Sequence, residues 1–456
     1  MDTTYRLDGR APSYVRVPDR VPTTGRIRAA AKHPRLMVYR RLMIAVLAAN
    51  VALLAVPLRR GHWHLADGSA LAALSDLTLV NLAAAVLIRH QTILNVLHGL
   101  AGRGSPEWPT WIRWGISKVH HIGGIHAGAA IAGTAWLGAF SAVAVVTRLR
   151  HPGVVTSTTF VLAVALSTLL VVVTVCASSP VRMRAHNVFE QTHRWGGWTA
   201  LLLFWLLMID LAVEGGGAGG AFGALASDWH VWVLAGLTLS VAWPWVRLRR
   251  VPVTVDRPSS HVAIVHLDYG VTPAYSSGVG ISRRPLQEWH AFATITTPGR
   301  SGYQLVISRA GDWTGRFIDD PPTHVWVRGV PVVAPLAKIP ELYQRVVYVV
   351  TGSGIGPCLG PLLADRVPAR LVWSTREPRR TYGDALIDEV ERTQPDAVIW
   401  DTTSRGKPDL VQLALDACAD FDAEAVIVVS NKPTTVRLVH QLERSGIPAF
   451  GPIWDS

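Results

Sequence analysis

The sequence predicts an α-helical membrane bundle of about six transmembrane helices, followed by a cytosolic β-barrel and an α/β domain of nucleotide-binding type. Three observations predict it. Six apolar stretches suited to a bilayer core of roughly 30 Å recur before residue 247. Charged residues make up only 17% of the 456-residue chain, against about a quarter in soluble domains, and they gather outside those stretches. Beyond residue 250, short strand-like runs, glycine turns and helical stretches take over.

The elements follow in order. Residues 1–41 form a basic arm carrying Arg26, Arg28, Lys32, Arg35, Arg40 and Arg41. No apolar core with a small-residue cleavage site precedes the first span, so no cleavable signal peptide is expected. The membrane domain occupies 42–250, with spans at about 42–58, 71–97, 116–146, 155–176, 195–213 and 229–246. Lys and Arg set its orientation. Arg103, Arg113 and Lys118 in the second loop, Arg182 and Arg184 in the fourth, and Arg247, Arg249 and Arg250 after the last span share a side with the arm. That side is expected to be cytosolic, giving a multi-pass plasma-membrane protein with both termini inside; Arg59, Arg60, Arg148 and Arg150 are outnumbered. The net charge of +12 then belongs to span ends at the inner membrane surface, and nucleic acid is excluded as a partner. Cys176, Cys358 and Cys418 are too dispersed for a zinc site and imply no disulfide framework.

Ionisable residues in spans are costly, which makes their histidines functional candidates. His90 and His98 end the second span, His120, His121 and His126 open the third, and His186 and His193 lead into the fifth. With FEQTHRWGGW at 189–198, and more weakly VHHIGGIHAG at 119–128, the bundle resembles the transmembrane ferric reductase and NADPH oxidase superfamily. In that family two helices each carry two haem-ligand histidines about 13 residues apart, roughly 20 Å of helical rise, with one haem near each face. The resemblance implies metal ligation by His193 with His120 or His121 at the inner face. Leu206, Gly133 and Thr134 stand at the outer depth, where no side chain can ligate iron. Two readings stay open: one inner haem b, or no haem, with the histidines at a wet helix end or on a lipid or quinone headgroup.

Residues 251–340 read as a small antiparallel barrel built from HVAIVHLDYG, HAFATITTP, GYQLVISRAG and THVWVRGVPVVAP. Residues 341–456 read as α/β: RVVYVVTGSGIGPCLGPLLA is a buried strand, a glycine turn and a helix, and ARLVWSTRE, AVIWDT and AVIVVS add parallel strands. Glycines in such a turn let backbone N–H groups approach a pyrophosphate at a helix N-terminus. A barrel followed by this turn resembles the ferredoxin–NADP reductase module. The resemblance implies nicotinamide-dinucleotide binding by Thr351, Gly352, Gly354, Gly356 and Pro357. It places Ser374 and Arg376 at an adenosine 2′-phosphate, favouring NADPH over NADH.

For the flavin, PLQEWHAFATIT at 285–296 resembles the oxidases' flavin segment and AGDWT at 310–314 a second one. The resemblance implies FAD contacts from His290, Phe292 and Ala293, with Trp454 stacking on the flavin. Ala291 stands where the family has proline, Ala293 where it has a hydroxyl residue, and Ser430-Asn431-Lys432-Pro433 where it has Cys-Gly-Pro. The implied activity is electron transfer from NADPH through FAD to an inner haem or another, unidentified acceptor. The alternative is a degenerate membrane-tethered nucleotide-binding sensor or scaffold without turnover. Expected partners are the lipid bilayer, NAD(P)H and that acceptor.

Overall fold

The computed structural model describes residues 37–60, 68–215, 220–328, 331–333 and 335–451. Most of the basic arm, part of the glycine-rich loop and Trp454 lie outside the described residues. The helical half comprises α1 (Val38–Arg60), α2 (Ser69–Leu87), α3 (Gln91–Ala101), α4 (Thr110–Ile116), a 3-10 turn (Ser117–His121), α5 (Gly123–Arg150), α6 (Ser157–Cys176), α7 (Ser179–Arg184), α8 (His186–Gly215), α9 (Gly220–Ser227) and α10 (Trp229–Val246).

Among the described residues five stretches, Val38–Ala55, Ser69–Leu87, Gly123–Arg150, Ser157–Cys176 and His186–Val213, are long and apolar enough to cross a membrane. The sixth expected span is a helix, α10, but falls outside that set. Its four tryptophans, His230 and Pro244 dilute its apolarity. The second expected span is really two helices: His90 is extended (φ −66°, ψ 131°), and α3 starts afresh behind it. The third starts at Gly123, because 117–121 wind more tightly.

The bundle is dressed inside out. Val51, Val161, Leu202 and Leu239 are exposed, whereas Ala70, Ala129, Ala163 and Ala200 are buried. Small residues let helices approach closely. A Cβ at Gly124 would lie 2.1 Å from the Tyr39 carbonyl oxygen, so α5 meets α1 backbone to backbone there. Asn50 and Asn81 exchange amide hydrogen bonds at 2.9 and 2.7 Å, and Trp136 Nε1 donates to Asn50 Oδ1 at 2.8 Å.

The β half corrects the barrel expectation: among the described residues it is two antiparallel sheets, not a closed barrel. One has the order β1 (Arg249–Pro252), β7 (His324–Val327), β4 (Ser277–Ser282), β5 (His290–Ala293), with β8 (Val332–Val333) beside β4; the other is β2 (Thr254–Asp256), β3 (Val262–Leu267), β6 (Tyr303–Ser308). The sheets meet through an isolated bridge, Ile295 to Gln304. Val251, Val265, Ile281, Leu305 and Val325 face one core, which α11 (Asp312–Asp319) fills with Trp313 and Phe317.

The α/β half carries a parallel sheet ordered β11 (Val398–Asp401), β10 (Ala369–Thr375), β9 (Val346–Thr351), β12 (Ala425–Val429), β13 (Ala449–Phe450). Helices α12 (Ile355–Ala364), α13 (Pro378–Tyr382), α14 (Asp384–Thr393), α15 (Thr402–Arg405), α16 (Leu410–Phe421) and α17 (Lys432–Arg444) connect the strands. The segment between α3 and α5 docks on this half. Arg113 bonds to Glu424 at 2.8 Å and to the Leu342 carbonyl at 3.1 Å. Lys118 pairs with Glu443 and donates to the Ala449 carbonyl at 3.0 Å. Trp114 Nε1 donates to Glu443 at 3.2 Å, and Ser117 meets the Tyr343 hydroxyl at 3.2 Å.

Candidate dinucleotide site

Strand β9 has β10 and β11 on one side and β12 and β13 on the other. Connections leaving the carboxyl ends of β9 and β12 therefore diverge, and such a switch point opens a crevice where doubly wound sheets bind ligands. At its lip Thr351 Oγ1 and Ser430 Oγ are 2.5 Å apart. Gly352 follows with φ 52°, a left-handed backbone that glycine adopts without strain. Its carbonyl accepts the buried Trp373 Nε1–H at 2.9 Å, which fixes the turn from below. Helix α12 starts three residues on, and N–H groups at a helix start favour an anion. Across the lip Asn431 caps α17, accepting the Thr434 N–H at 3.1 Å.

The other expected nucleotide residues fall into two groups. Gly354 and Gly356 are packing glycines. A Cβ at Gly354 would lie 2.5 Å from the Val429 carbonyl of β12, and one at Gly356 3.3 Å from Val306 Cβ of β6. Pro357 accepts the Ser276 hydroxyl at 2.6 Å, so the start of α12 is pressed against the β half. Ser374 is buried in β10, beside Thr351 in register. Arg376 is exposed and makes no ion pair among the described residues. Arg379, by contrast, pairs with Asp384, Asp388 and Glu391 at 3.2, 2.6 and 2.8 Å, and Arg380 with Glu377 at 3.0 Å. At the end of β11, Asp401 accepts the backbone N–H groups of Thr403 and Glu377 at 2.8 and 2.9 Å. The Thr403 bond leads in holding its carboxyl below the usual range. Trp373 is the contributor that sequence reasoning missed, since no motif says which carbonyl a strand tryptophan reaches.

The expected flavin residues fit the group poorly. His290 and Phe292 alternate along β5 and face Trp313. The His290 ring is stacked on that indole at 4.1 Å and 27°, and Phe292 lies 6.3 Å from it. An isoalloxazine needs the face that Trp313 holds. Ala293 is buried, in register with Gly278 of β4. Burial lowers the pKa of His290, against the opposing pull of Glu288 and Glu190.

The haem residues are also rearranged. His193 rests against His126 at 6.2 Å and Phe189 at 5.5 Å, whereas His120 lies against His121 at 4.0 Å. The expected partnership of His193 with His120 or His121 is thus replaced by one with His126. His126 Nδ1 is 2.8 Å from the Ala85 carbonyl, which fixes its ring. Among the described residues no three His, Cys, Asp or Glu side chains cluster as a metal site.

Residues 336–456 match the family described as adenylate-forming reductase 03009, C-terminal domain. Adenylate-forming reductase 06235 of Coprinopsis cinerea is 40% identical over 442 residues, 96% of this chain and 42% of the relative. Adenylate-forming reductase 03009 of the same fungus is 39% identical over 435 residues, 95% of this chain and 42% of its own. The chain therefore spans less than half the length of these relatives. Among solved structures, the ferredoxin reductase in carbazole 1,9a-dioxygenase aligns over 45% of this chain and 70% of its own at 15% identity and a TM-score of 0.38. A ferredoxin NADP+ reductase from Neisseria gonorrhoeae with bound FAD and NADP aligns over 45% and 99%, at 13% identity and 0.36. Similarity that low carries no argument about activity.

Proposed function

We propose that this chain is the membrane-embedded reducing module of an adenylate-forming reductase, drawing a hydride from NADPH or NADH on the cytosolic face of the plasma membrane. The β9–β12 crevice carries the reading: a left-handed glycine, a hydroxyl pair and a helix start converge at a topological switch point. Identity of 40% along nearly the whole chain to a protein named a reductase supports it. The five apolar stretches and the exposed apolar side chains support the bilayer setting.

In this reading the turn at Gly352 would receive the pyrophosphate, Thr351 and Ser430 would border the nicotinamide end, and Arg376 would meet a 2′-phosphate. When bound, the dinucleotide would supply the hydride, and an acceptor substrate brought to the nicotinamide end would take it. The residues hold the dinucleotide, and the packed start of α12 keeps water from its inner side. FAD at His290, Phe292 and Ala293 requires Trp313 to leave its stack, and an inner haem requires a partner for His193 other than His120 or His121. Neither enters this mechanism.

Trp313 favours a second reading, a nucleotide-binding sensor or scaffold without turnover. Calorimetry and absorption on the detergent-purified full chain separate the two. NADPH binding followed by its oxidation with ferricyanide added as electron acceptor supports the reductase, and binding without oxidation in the presence of that acceptor supports the sensor. A folded protein that binds neither NADPH nor NADH sinks both.

A further inference from the structure

Arg328 follows β7 at the seam between the helical and β halves, and its guanidinium lies against two indoles. It lies 4.4 Å from the ring centre of Trp289, in the loop before β5, and 5.4 Å from that of Trp245, near the end of α10. Those two rings meet edge to face at 6.2 Å, and Trp198 of α8 extends the stack to Trp245 at 5.1 Å. Arginine carries five N–H donors. Among the described residues, those of Arg328 make no hydrogen bond and no ion pair.

The nearest carboxylate is already engaged. Glu190 pairs with Arg194 and also accepts the Trp289 backbone N–H at 3.2 Å. Arg194 spends its other arm on the carbonyls of Leu286, at 3.2 Å, and Gln287. Glu190 is thus committed to Arg194, and Arg328 feels its charge only at a distance. Burial pushes the Arg328 pKa down to about 10, and Arg194 adds to that push. Buried charges are ordinarily paired. The Arg328 nitrogens also remain reachable, because the sealed side-chain polar atom without a partner among the described residues is Thr147 Oγ1.

We propose that Arg328 anchors an anion site that takes a phosphate group at this seam, separate from the β9–β12 crevice. A planar guanidinium presents paired donors that match phosphate oxygens, and flanking indoles hold the plane in place. The phosphate has two sources: a phospholipid headgroup, which the indole-rich collar of Trp195, Trp198, Trp243 and Trp245 suits, or a soluble phosphate compound.

The test uses the full chain, wild type against Arg328→Gln, with two probes. Native mass spectrometry after mild delipidation reads retained phosphatidylglycerol, and calorimetry reads binding of inorganic pyrophosphate. Loss of a charged hydrogen-bonding partner is expected to weaken one probe about tenfold or more. A loss confined to phosphatidylglycerol assigns the site to lipid, and a loss confined to pyrophosphate assigns it to a soluble phosphate. Any pyrophosphate bound at the crevice is common to both proteins and cancels in the comparison. Arg328→Lys keeps the charge without the stacked plane. If Arg328→Gln fails to fold, the same loss in Arg328→Lys supports the site. Equal retention and equal binding in wild type and the folded variant overturn it.

Discussion

The glycine turn after β9 and the flavin-like strand β5 were both legible as motifs, yet the structure treats them differently. At Gly352 the motif reports a backbone requirement, and the backbone meets it with φ 52° beside an open lip. At His290 and Phe292 the motif reports side chains, and a third side chain, Trp313, lies over them. A motif that encodes backbone shape survives whatever packs nearby. One that encodes a binding face depends on that face staying free.

The sharpest way to break the comparison is to empty the filled face. Trp313→Ala removes a buried indole from the β-half core, and thermal unfolding of the full chain is expected to show a loss of about 3–5 kcal/mol. If the face is a plugged cofactor slot, added FAD will recover part of that loss in the variant and leave wild type unmoved. A core role alone predicts no response to FAD.

Next in size is Gly354→Val. Its side chain runs into the Val429 carbonyl, and overpacking of this kind is expected to cost about 3 kcal/mol, again read by thermal unfolding. Unchanged stability with lost NADPH binding would return Gly354 to the phosphate wall.

Gly352→Val probes the open turn itself. Forcing a β-branched residue into the left-handed region costs about 1–2 kcal/mol, and NADPH affinity by calorimetry is expected to fall about tenfold. A folded variant with wild-type affinity would make the turn merely structural.

The smallest effect is a pH dependence at the docking segment. Burial lowers the pKa of Lys118, opposed by Glu443. The unfolded chain therefore binds more protons than the folded one between the lowered value and the ordinary 10.5, and this contribution to stability rises with pH across that window. Melting temperatures of wild type and Lys118→Met, taken at rising alkaline pH, should diverge in wild type's favour. Parallel curves would remove Lys118 from the account.

Much of the fold could be read directly. The short apolar runs in ARLVWSTRE and AVIVVS gave parallel strands, and long apolar runs gave the bundle helices. The break at Arg89-His90 was not read: the second expected span ran straight through that polar pair. Strand β4 was missed because Val279 and Ile281 alone carry its period-2 signal, among glycines and serines that read as a turn. Barrel closure failed because no sequence pattern specifies how the edges of two short-stranded sheets meet. Half of the candidate site was legible: the turn was, the Thr351–Ser430 pair and the Trp373 bond were not, since both join residues distant in sequence. Docking of Arg113 and Lys118 was hidden for the same reason, and their charge had been assigned to orientation alone.

That docking segment determines how the halves can move. The stretch from Thr110 to His121 hangs between α3 and α5, and its grip reaches Glu424 ahead of β12, Glu443 on α17 and the carbonyl of Ala449 in β13. Besides the chain connection through the β sheets, the α/β half is thus held to the helical half by a second tether, ahead of β12 and at β13. Any shift of β12 would therefore pull on the segment that joins α3 to α5. The molecule behaves as a loop of linked parts rather than a domain on a leash.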